Sequence, residues 1–440
     1  MKTIMIICIE IVSLLAGGCT MTLLREPTAA APTIPIAYPA PTGPHIVGVH
    51  DFEFTDTVYP SDRPEDADGR RIMARVWYPA EQATGQRRRY FAAGEFEALA
   101  IPMLEVMGMG DDPHNSLLRP LGEVLTHSDV DAPVRSAQAA LPVVVYSHGG
   151  LSYLSQNTAL MEELASHGYI VFSLTHPGGS VGIRYPNGDT IGYDAVFYQA
   201  VINSIVTQDP EGLNSSDIAK RYAARANHYV DDSGLGPWLP RWRDDNIALV
   251  DFIEGGHAVG LLGEILAKAD ISRLAYGGMS YGAAAAASAA QADPRAGAAF
   301  NLDGTHHASD LLDINIRVPL LAFTTEPVAH VPYTNEFFFE PLKTMGSRED
   351  ILRVWVPGIT HPELNDTMFF PASYRAVIPG GGQGDGERIH EILRNFLLGF
   401  LDHYLQGRAN GYPAAPLAEF PEVQQVDVHY VQDWAKSAAN

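Results

Sequence analysis

Cysteine is almost absent from this 440-residue chain, because the only two, Cys8 and Cys19, both lie at its very start. The rest of the sequence therefore has no internal disulfide, no thiolate metal site and no cysteine nucleophile. Basic residues are also scarce, with 29 Lys and Arg against 52 Asp and Glu, a formal net charge of −23. Such a surface repels phosphate groups, which excludes nucleic acid and anionic head groups as electrostatic partners.

The apolar stretch at the N-terminus is too short to span a membrane comfortably. Lys2 precedes it and small residues follow it, which is the form of an export signal. Residues 15–19 resemble the end of a bacterial lipoprotein signal, in which the cysteine becomes the first mature residue and carries the lipid. We predict a signal at residues 1–19, lipidation at Cys19 and a membrane-anchored lipoprotein of the bacterial envelope. A cleaved signal with a secreted or periplasmic product is the alternative.

Beyond the signal, four regions follow from composition and periodicity. Residues 20–44 are rich in Pro, Ala and Thr, which is typical of an extended tether. Across residues 45–410 buried-strand signals alternate with helical ones, which predicts an α/β fold: a mostly parallel sheet with helices on both faces. Residues 183–240 break the alternation with two helical segments, so we predict a helical insertion that caps the site. Residues 411–440 form a C-terminal extension.

The glycine run at residues 379–386 has the spacing neither of a dinucleotide fingerprint nor of a phosphate-binding loop. We predict a flexible loop before the last helix. The sequence therefore indicates no nucleotide cofactor at this run.

The pattern G-x-S-x-G occurs twice, at residues 178–182 and 278–282. A nucleophile elbow needs a sharp turn from a strand straight into a helix, with glycine or a near-glycine on either side. Ser280 lies between a strand-like segment and an alanine-rich helical one, whose N-terminus favours a developing oxyanion. Ser180 runs into a segment with Pro, Asn and Gly, which is typical of a loop. We predict Ser280 as the nucleophile.

A serine hydroxyl needs a base near neutral pH, and the base needs an orienting carboxylate, in the chain order serine, acid, histidine. His361 follows a strand and a Pro-Gly turn, which places it at the same edge of a parallel sheet as Ser280. We predict His361 as the base. Two carboxylates fit as the acid, since Asp303 ends the strand after the elbow helix and Glu326 ends the next strand.

Among the other histidines that follow the serine, four are compared with His361 and are not predicted as the base. His306 and His307 come too soon after it, and as neighbours in a loop they make a poor metal site. His390 and His403 lie in the final helix, where we predict them on its surface.

Several motifs occur together in one order: a Ser-His-Gly turn after an apolar strand, a long helix ending in Leu-Ala-Ser-His-Gly, the elbow, a Leu-Asp, and a G-x-x-H turn. This set, which covers most of residues 45–405, resembles the plasma-type platelet-activating factor acetylhydrolases, a family of α/β-hydrolases. The resemblance implies the α/β-hydrolase fold and the triad Ser280, Asp303 and His361, which favours Asp303 over Glu326 as the acid.

The oxyanion donors follow from position and from the same resemblance. They are the backbone N–H groups of Tyr281, directly after the nucleophile, and of Gly150, in the loop after an apolar strand. The chain departs from the family beside the nucleophile, where it has Met279 in place of the common histidine and Ala283 in place of a second glycine.

Together these residues predict a serine carboxylic ester hydrolase that works through an acyl-enzyme and needs no metal or cofactor. Its expected substrates are short-acyl esters, phospholipid or other lipid esters. A polyester- or cutin-type esterase and a peptidase on the same fold are the alternatives among enzymes. An inert binding protein of the envelope is the alternative from another class, and the complete order of serine, aspartate and histidine argues against it.

Overall fold

A computed structural model of the protein describes residues 36–58, 69–108, 119–136, 140–325 and 338–426, except 207–208, 214, 216, 232–234, 343, 345, 377 and 379. The signal segment with Cys19 and the alternative acid Glu326 lie outside the described residues. No helix in these ranges combines the length and the apolar character needed to span a bilayer.

The strands follow one another along the chain as β1 (Ile46–Asp56), β2 (Arg70–Ala80), β3 (Arg87–Arg89), β4 (Leu125–Val130), β5 (Leu141–Ser147), β6 (Ile170–Leu174), β7 (Gly182–Arg184), β8 (Thr190–Gly192), β9 (Ala269–Met279), β10 (Ala296–Leu302), β11 (Leu320–Thr324), β12 (Ile351–Trp355) and β13 (Gln424–Gln425). Among the described residues, eleven of them form one sheet in the order β13-β12-β11-β10-β9-β5-β6-β2-β1-β4-β3. The six strands from β12 to β6 run parallel.

The helices are α1 (Ile101–Val106), α2 (Thr158–Ser166), α3 (Ala195–Val206), α4 (Pro210–Leu213), α5 (Ile218–Asp231), α6 (Leu239–Gly255), α7 (Gly260–Leu266), α8 (Tyr281–Ala292), α9 (Ala372–Arg375), α10 (Gly386–Gln406) and α11 (Ala414–Glu419). Helices α6 and α8 pack on one face of the sheet, and α2 and α10 pack on the other. The central strand β5 feeds both cores, because Val143 and Val145 face the first and Val144 and Tyr146 the second. The predicted α/β fold with helices on both faces is confirmed.

The insertion at residues 183–240 contains α3 and α5, the two helices that its spacing predicts, and the four-residue helix α4, which was not predicted. It also contains most of a small hairpin, β7 paired with β8, which was not predicted. Each of these strands has three residues, too few to show a period of two in the sequence.

The described end of the predicted tether, residues 36–44, packs on the body. The backbone N–H of Thr42 donates to the Glu163 carboxylate at 2.8 Å, and that of Gly43 donates to the Ser166 hydroxyl at 3.0 Å. Tyr38 is buried and stacks on Tyr90 with ring centroids 5.2 Å apart. This stretch therefore belongs to the folded body, beside α2.

His390, predicted on the surface of the last helix, is instead buried against the edge of Phe369 at a ring-centroid distance of 5.4 Å. The prediction was wrong because α10 is covered by the sheet on one side and by the 3₁₀ turn Asp366–Phe369 on another. Its buried surface is thus wider than one apolar stripe. Burial lowers the pKa of His390 to about 4.

This histidine makes the fold sensitive to acid. Between pH 6.5, its ordinary pKa, and about 4, the unfolded chain binds one proton that the folded protein excludes. The free energy of unfolding therefore falls as the pH falls through this window, by about 3 kcal/mol for this residue. We expect His390→Gln to reduce the pH dependence by about one proton, measured by urea unfolding at pH 7, 6 and 5. His403→Gln on the same helix is the control, and parallel wild-type and His390→Gln curves would contradict the assignment.

Candidate active site

The turn from β9 into α8 places Ser280 in a strained conformation, with φ 56° and ψ −130°. Such a left-handed backbone is costly for a residue other than glycine and persists only where the surroundings hold it. Here the N–H of Ser280 donates to the Leu302 carbonyl at 2.8 Å, and the Ser280 carbonyl accepts the N–H of Ala283 at 2.9 Å. The predicted strand–turn–helix elbow is therefore present at residues 278–282.

The two glycines of this elbow are required by close packing on the end of β5. A Cβ on Gly278 would lie 2.6 Å from the Ser147 carbonyl oxygen, and one on Gly282 would lie 2.0 Å from that of His148. Five consecutive alanines, residues 283–287, are fully buried behind them. Small side chains thus allow α8 to start directly against the sheet, which gives the pattern G-x-S-x-G its physical reason.

His361 and Asp303, predicted as partners, are hydrogen-bonded, with His361 Nδ1 2.6 Å from Asp303 Oδ2. The Asp303 carboxylate is buried and also accepts the Thr325 N–H at 3.0 Å and the Thr325 hydroxyl at 2.5 Å. Because a carboxylate only accepts, Nδ1 of the imidazole carries the proton and Nε2 is left as the basic nitrogen. The His361 side chain is 40% exposed, so this nitrogen is within reach of solvent and substrate.

Sheet register brings the serine to the same place. Met279, the last residue of β9, pairs with Leu302, the last residue of the neighbouring strand β10. Ser280 and Asp303 directly follow these two residues, so they leave the sheet side by side. The turn is tight, because a Cβ on Gly304 would lie 2.0 Å from the Ser280 carbonyl oxygen. The structure thus gathers the elbow serine, the aspartate and the histidine at the carboxyl edge of the parallel strands.

Glu363 anchors the turn that carries His361, and sequence reasoning missed it. Its buried carboxylate accepts hydrogen bonds at 2.7 to 2.9 Å from three groups: the backbone N–H of Thr360, the backbone N–H of Gly384 and the guanidinium of Arg375. A Cβ on Gly382 would lie 1.8 Å from Glu363 Oε2. The glycine run was predicted as a flexible loop. Its described residues, 380–386, instead pack closely around this carboxylate because glycine alone leaves room for it.

The loop after β5 lies over the elbow. A Cβ on Gly149 would lie 3.2 Å from Ser280 Cβ, and one on Gly150 would lie 3.5 Å from Tyr281 Cβ. The N–H of Gly149 donates to Gln156 Oε1 at 2.8 Å, so the amide of this glycine is already engaged. This leaves Gly150 as the candidate donor in this loop, and its oxyanion role stays a prediction. Tyr281 opens α8, where the first-turn amides point out of the helix end.

Residues 33–194 match the family model described as platelet-activating factor acetylhydrolase, isoform II. The match includes the loop of Gly150 and confirms, for this part of the chain, the resemblance noted in the sequence. Among solved structures, a ferulic acid esterase from Streptomyces cinnamoneus is similar at 20% identity with a TM-score of 0.60, over 89% of this chain and 99% of that chain. This likeness shows the α/β-hydrolase fold. No curated protein matches the chain.

An aromatic wall, formed by Phe197 and Trp238 of the insertion with Trp242 of α6 and Tyr281 of α8, lies beside the elbow. Phe197 of α3 lies 5.8 Å from the Tyr281 ring and 4.9 Å from the Trp238 ring, between centroids. Trp242 lies 4.9 Å from the Tyr281 ring. A Cβ on Gly150 would lie 3.7 Å from the Phe197 ring. The insertion therefore closes one side of the space next to Gly150 and Tyr281, the predicted oxyanion donors.

His306 and His307 lie in the 3₁₀ turn that follows Asp303, with ring centroids 3.9 Å apart. Removal from water, with smaller contributions from nearby His361 and Arg225, lowers the pKa of His307 to about 3, so the ring is neutral. The pair lines a cavity of about 10 Å³, room for about one water molecule. Among the described residues, no group of three or more His, Cys, Asp and Glu side chains is arranged to hold a metal ion.

A second serine–histidine–aspartate arrangement lies inside the body. Ser147 Oγ is 3.2 Å from His176 Nε2, and His176 Nδ1 is 2.8 Å from Asp245 Oδ2. All three side chains are fully buried, Arg70 pairs with the aspartate at 2.8 Å, and the His176 ring stacks on Trp242 at 3.8 Å. Burial lowers the pKa of His176 and raises that of Asp245 to about 7. No substrate reaches this group, which joins β5, β6 and α6.

Ser180, the serine of the other G-x-S-x-G, is also buried. Its hydroxyl accepts the backbone N–H of His176 at 2.9 Å and lies 2.8 Å from His148 Nε2. A Cβ on Gly179 would lie 2.4 Å from the Trp242 ring, which explains the glycine before it. This segment is a turn packed behind the loop of Gly150, and its serine has no access to substrate.

Proposed function

We propose that the protein is a serine carboxylic ester hydrolase, with Ser280 as nucleophile, His361 as base and Asp303 as the orienting acid. The observation that carries the proposal is the 2.6 Å hydrogen bond from His361 Nδ1 to buried Asp303, next to a serine held in an elbow on the adjacent strand. The family match over residues 33–194 and the esterase of the same fold support ester hydrolysis as the chemistry.

In the first half-reaction, Ser280 Oγ attacks the ester carbonyl carbon while His361 Nε2 takes the hydroxyl proton. The carbonyl oxygen becomes an oxyanion and accepts hydrogen bonds from the N–H groups of Gly150 and Tyr281. Asp303 stabilises the imidazolium that forms. The tetrahedral intermediate collapses, the alcohol leaves with the proton from His361, and the acyl group stays on Ser280.

In the second half-reaction, water attacks the acyl-enzyme with His361 again as the base. A second oxyanion forms at the same two amides. Its collapse returns the proton from His361 to Ser280 and releases the carboxylic acid. The cycle uses only side chains and backbone groups of this chain, so the proposal includes no metal and no cofactor.

The proposed substrates are esters with a short acyl group, including lipid esters. The substituents of the carbonyl lie within a few ångströms of the oxyanion, and the wall of Phe197 and Tyr281 restricts the space there. We also propose that the enzyme is exported and held at the bacterial envelope by a lipid on Cys19. The net charge of −23 favours a lipid over electrostatic attraction as the anchor.

Hydrolysis of p-nitrophenyl esters from acetate to dodecanoate tests this function. We expect measurable turnover that is fastest for two- to four-carbon acyl groups and falls by about ten-fold or more at eight carbons, since a longer chain meets the aromatic wall. Phe197→Ala, which shortens that wall, should shift the optimum to longer chains. Absence of turnover with every ester, including methyl ferulate, would contradict ester hydrolysis. A flat chain-length profile would contradict the short-acyl assignment alone.

A further inference from the structure

The peptide between Gly149 and Gly150 is held from its oxygen side. The Gly149 carbonyl oxygen lies 2.7 Å from His148 Nδ1 and accepts the N–H of Ser152 at 3.1 Å. In a trans peptide the C=O and the N–H point in opposite directions. The two groups that hold this oxygen therefore also set the direction of the Gly150 N–H, the proposed oxyanion donor.

One imidazole tautomer is needed for this arrangement, and Ser180 selects it. A carbonyl oxygen only accepts, so His148 Nδ1 must carry the proton and Nε2 must accept. Ser180 Oγ already accepts the backbone N–H of His176 at 2.9 Å, which leaves its own proton for His148 Nε2 at 2.8 Å. Burial lowers the pKa of His148 to about 3, so the ring stays neutral over the working pH range.

The turn that carries Ser180, residues 178–182, also holds the loop after β5, residues 149–152, through two backbone hydrogen bonds. The N–H of Leu151 donates to the Gly179 carbonyl, and the N–H of Val181 donates to the Ser152 carbonyl, both at 2.9 Å. Leu151 has φ 54°, a left-handed conformation that persists only where neighbours hold it. The turn at residues 178–182 thus contacts the loop of Gly150 at several successive residues.

We propose that Ser180 and His148 are positioning residues, which act in series to aim the Gly150 N–H at the oxyanion formed on Ser280. The second G-x-S-x-G then supports the oxyanion hole, while the first supplies the nucleophile. The inference rests on the proposed function, because it needs an oxyanion at Ser280. It adds a dependence of the transition state on two side chains that never touch substrate.

Ser180→Ala tests the first link. Without the Ser180 proton the His148 ring can take the other tautomer, which turns a lone pair toward the Gly149 oxygen. Loss of a whole oxyanion donor costs about 10²- to 10³-fold in kcat, so a misaimed donor should cost about ten- to a hundred-fold. We expect this fall in kcat without a change in KM and without a shift of the apparent pKa in the pH profile of kcat/KM. Binding of a trifluoromethyl ketone, which forms a tetrahedral adduct, should weaken by the same factor.

The matched control is Ser173→Ala, which also removes a fully buried hydroxyl, one that donates to the Leu154 carbonyl at 2.7 Å. We expect its kcat to stay within about two-fold of wild type. Ser180→Cys keeps a side chain of similar size with a thiol, which is a weaker hydrogen-bond donor. This variant replaces Ser180→Ala in the test if the alanine variant does not fold. His148→Asn, whose amide can still donate to Gly149, should regain at least about ten-fold of the kcat lost in His148→Ala.

Equal kcat and inhibitor affinity in the Ser180→Ala and Ser173→Ala variants would overturn the inference. So would an effect on KM alone. Full activity of Ser280→Ala would instead overturn the proposed function, whatever the Ser180 variants show. An inactive Ser280→Ala beside a fully active Ser180→Ala would remove this inference and leave the proposed function standing.

Discussion

Ester hydrolysis by the Ser280→Ala variant is expected to fall by about 10⁵- to 10⁶-fold in kcat, with the fold intact. The change removes the only atom proposed to bond to the substrate carbonyl. The elbow remains, because its hydrogen bonds run through backbone groups of Ser280, Leu302 and Ala283. The residual rate over water then reports the oxyanion donors together with substrate binding. Steady-state kinetics with p-nitrophenyl acetate measure the loss, and the thermal midpoint checks the fold.

Ser147→Ala is the sharpest control for this result, since Ser147 belongs to the chain's other serine–histidine–aspartate arrangement. Its side chain is fully buried, so we expect the variant to retain activity. A fluorophosphonate should modify Ser280, and no other serine of the chain should be labelled. Comparable rates for wild type and Ser280→Ala, or labelling at Ser147 or Ser180, would rule out the proposed nucleophile. Absence of any labelling would favour the inert binding protein.

Asp303→Asn is expected to lower kcat by about 10⁴-fold at neutral pH. The carboxylate now accepts three hydrogen bonds, from His361 Nδ1 and from the N–H and O–H of Thr325. An amide has one accepting oxygen, and its NH₂ group would face a donor on at least one side. The amide therefore favours the tautomer with the proton on His361 Nε2, which cannot accept the proton of Ser280.

Glu326→Gln is the matched variant for the alternative acid, and we expect it to stay active. Urea unfolding of both variants separates loss of chemistry from loss of stability, because Asp303 is buried and its replacement leaves a hydrogen bond unmade. If Glu326→Gln abolishes turnover and Asp303→Asn does not, the acid is Glu326.

Long, regular segments were predictable from the sequence. The runs of β5 and β6 are continuous and apolar because both faces of these strands are covered, and the length of α10 gives a clear helical period. The edge of the sheet was not predictable in the same way. Strands β3 and β13 have three and two residues and depend on pairing with a neighbour rather than on their own pattern.

In the candidate site, too, local features were predictable from the sequence and contacts between distant segments were not. The elbow at residues 278–282 was predictable because its geometry is local: a strand, a turn that only small residues fit, and a helix in direct succession. The choice of Asp303 over Glu326 as the partner of His361 was not local, and it required the family resemblance. Their hydrogen bond is present in the structure, and their catalytic roles stay predictions until the variants are measured.

What the sequence by itself determined is the set of local conformations: which long segments form strands and helices, which serine lies in an elbow, and which histidine follows a strand and a Pro-Gly turn after it. Only the tertiary structure decided what surrounds them. Ser180 with His148, Glu363 with the glycine run, and buried His390 all depend on contacts between segments far apart in the chain. The physical reason is that burial and hydrogen-bond partners belong to the packed molecule, whereas a turn or a period is already set by the residues within it.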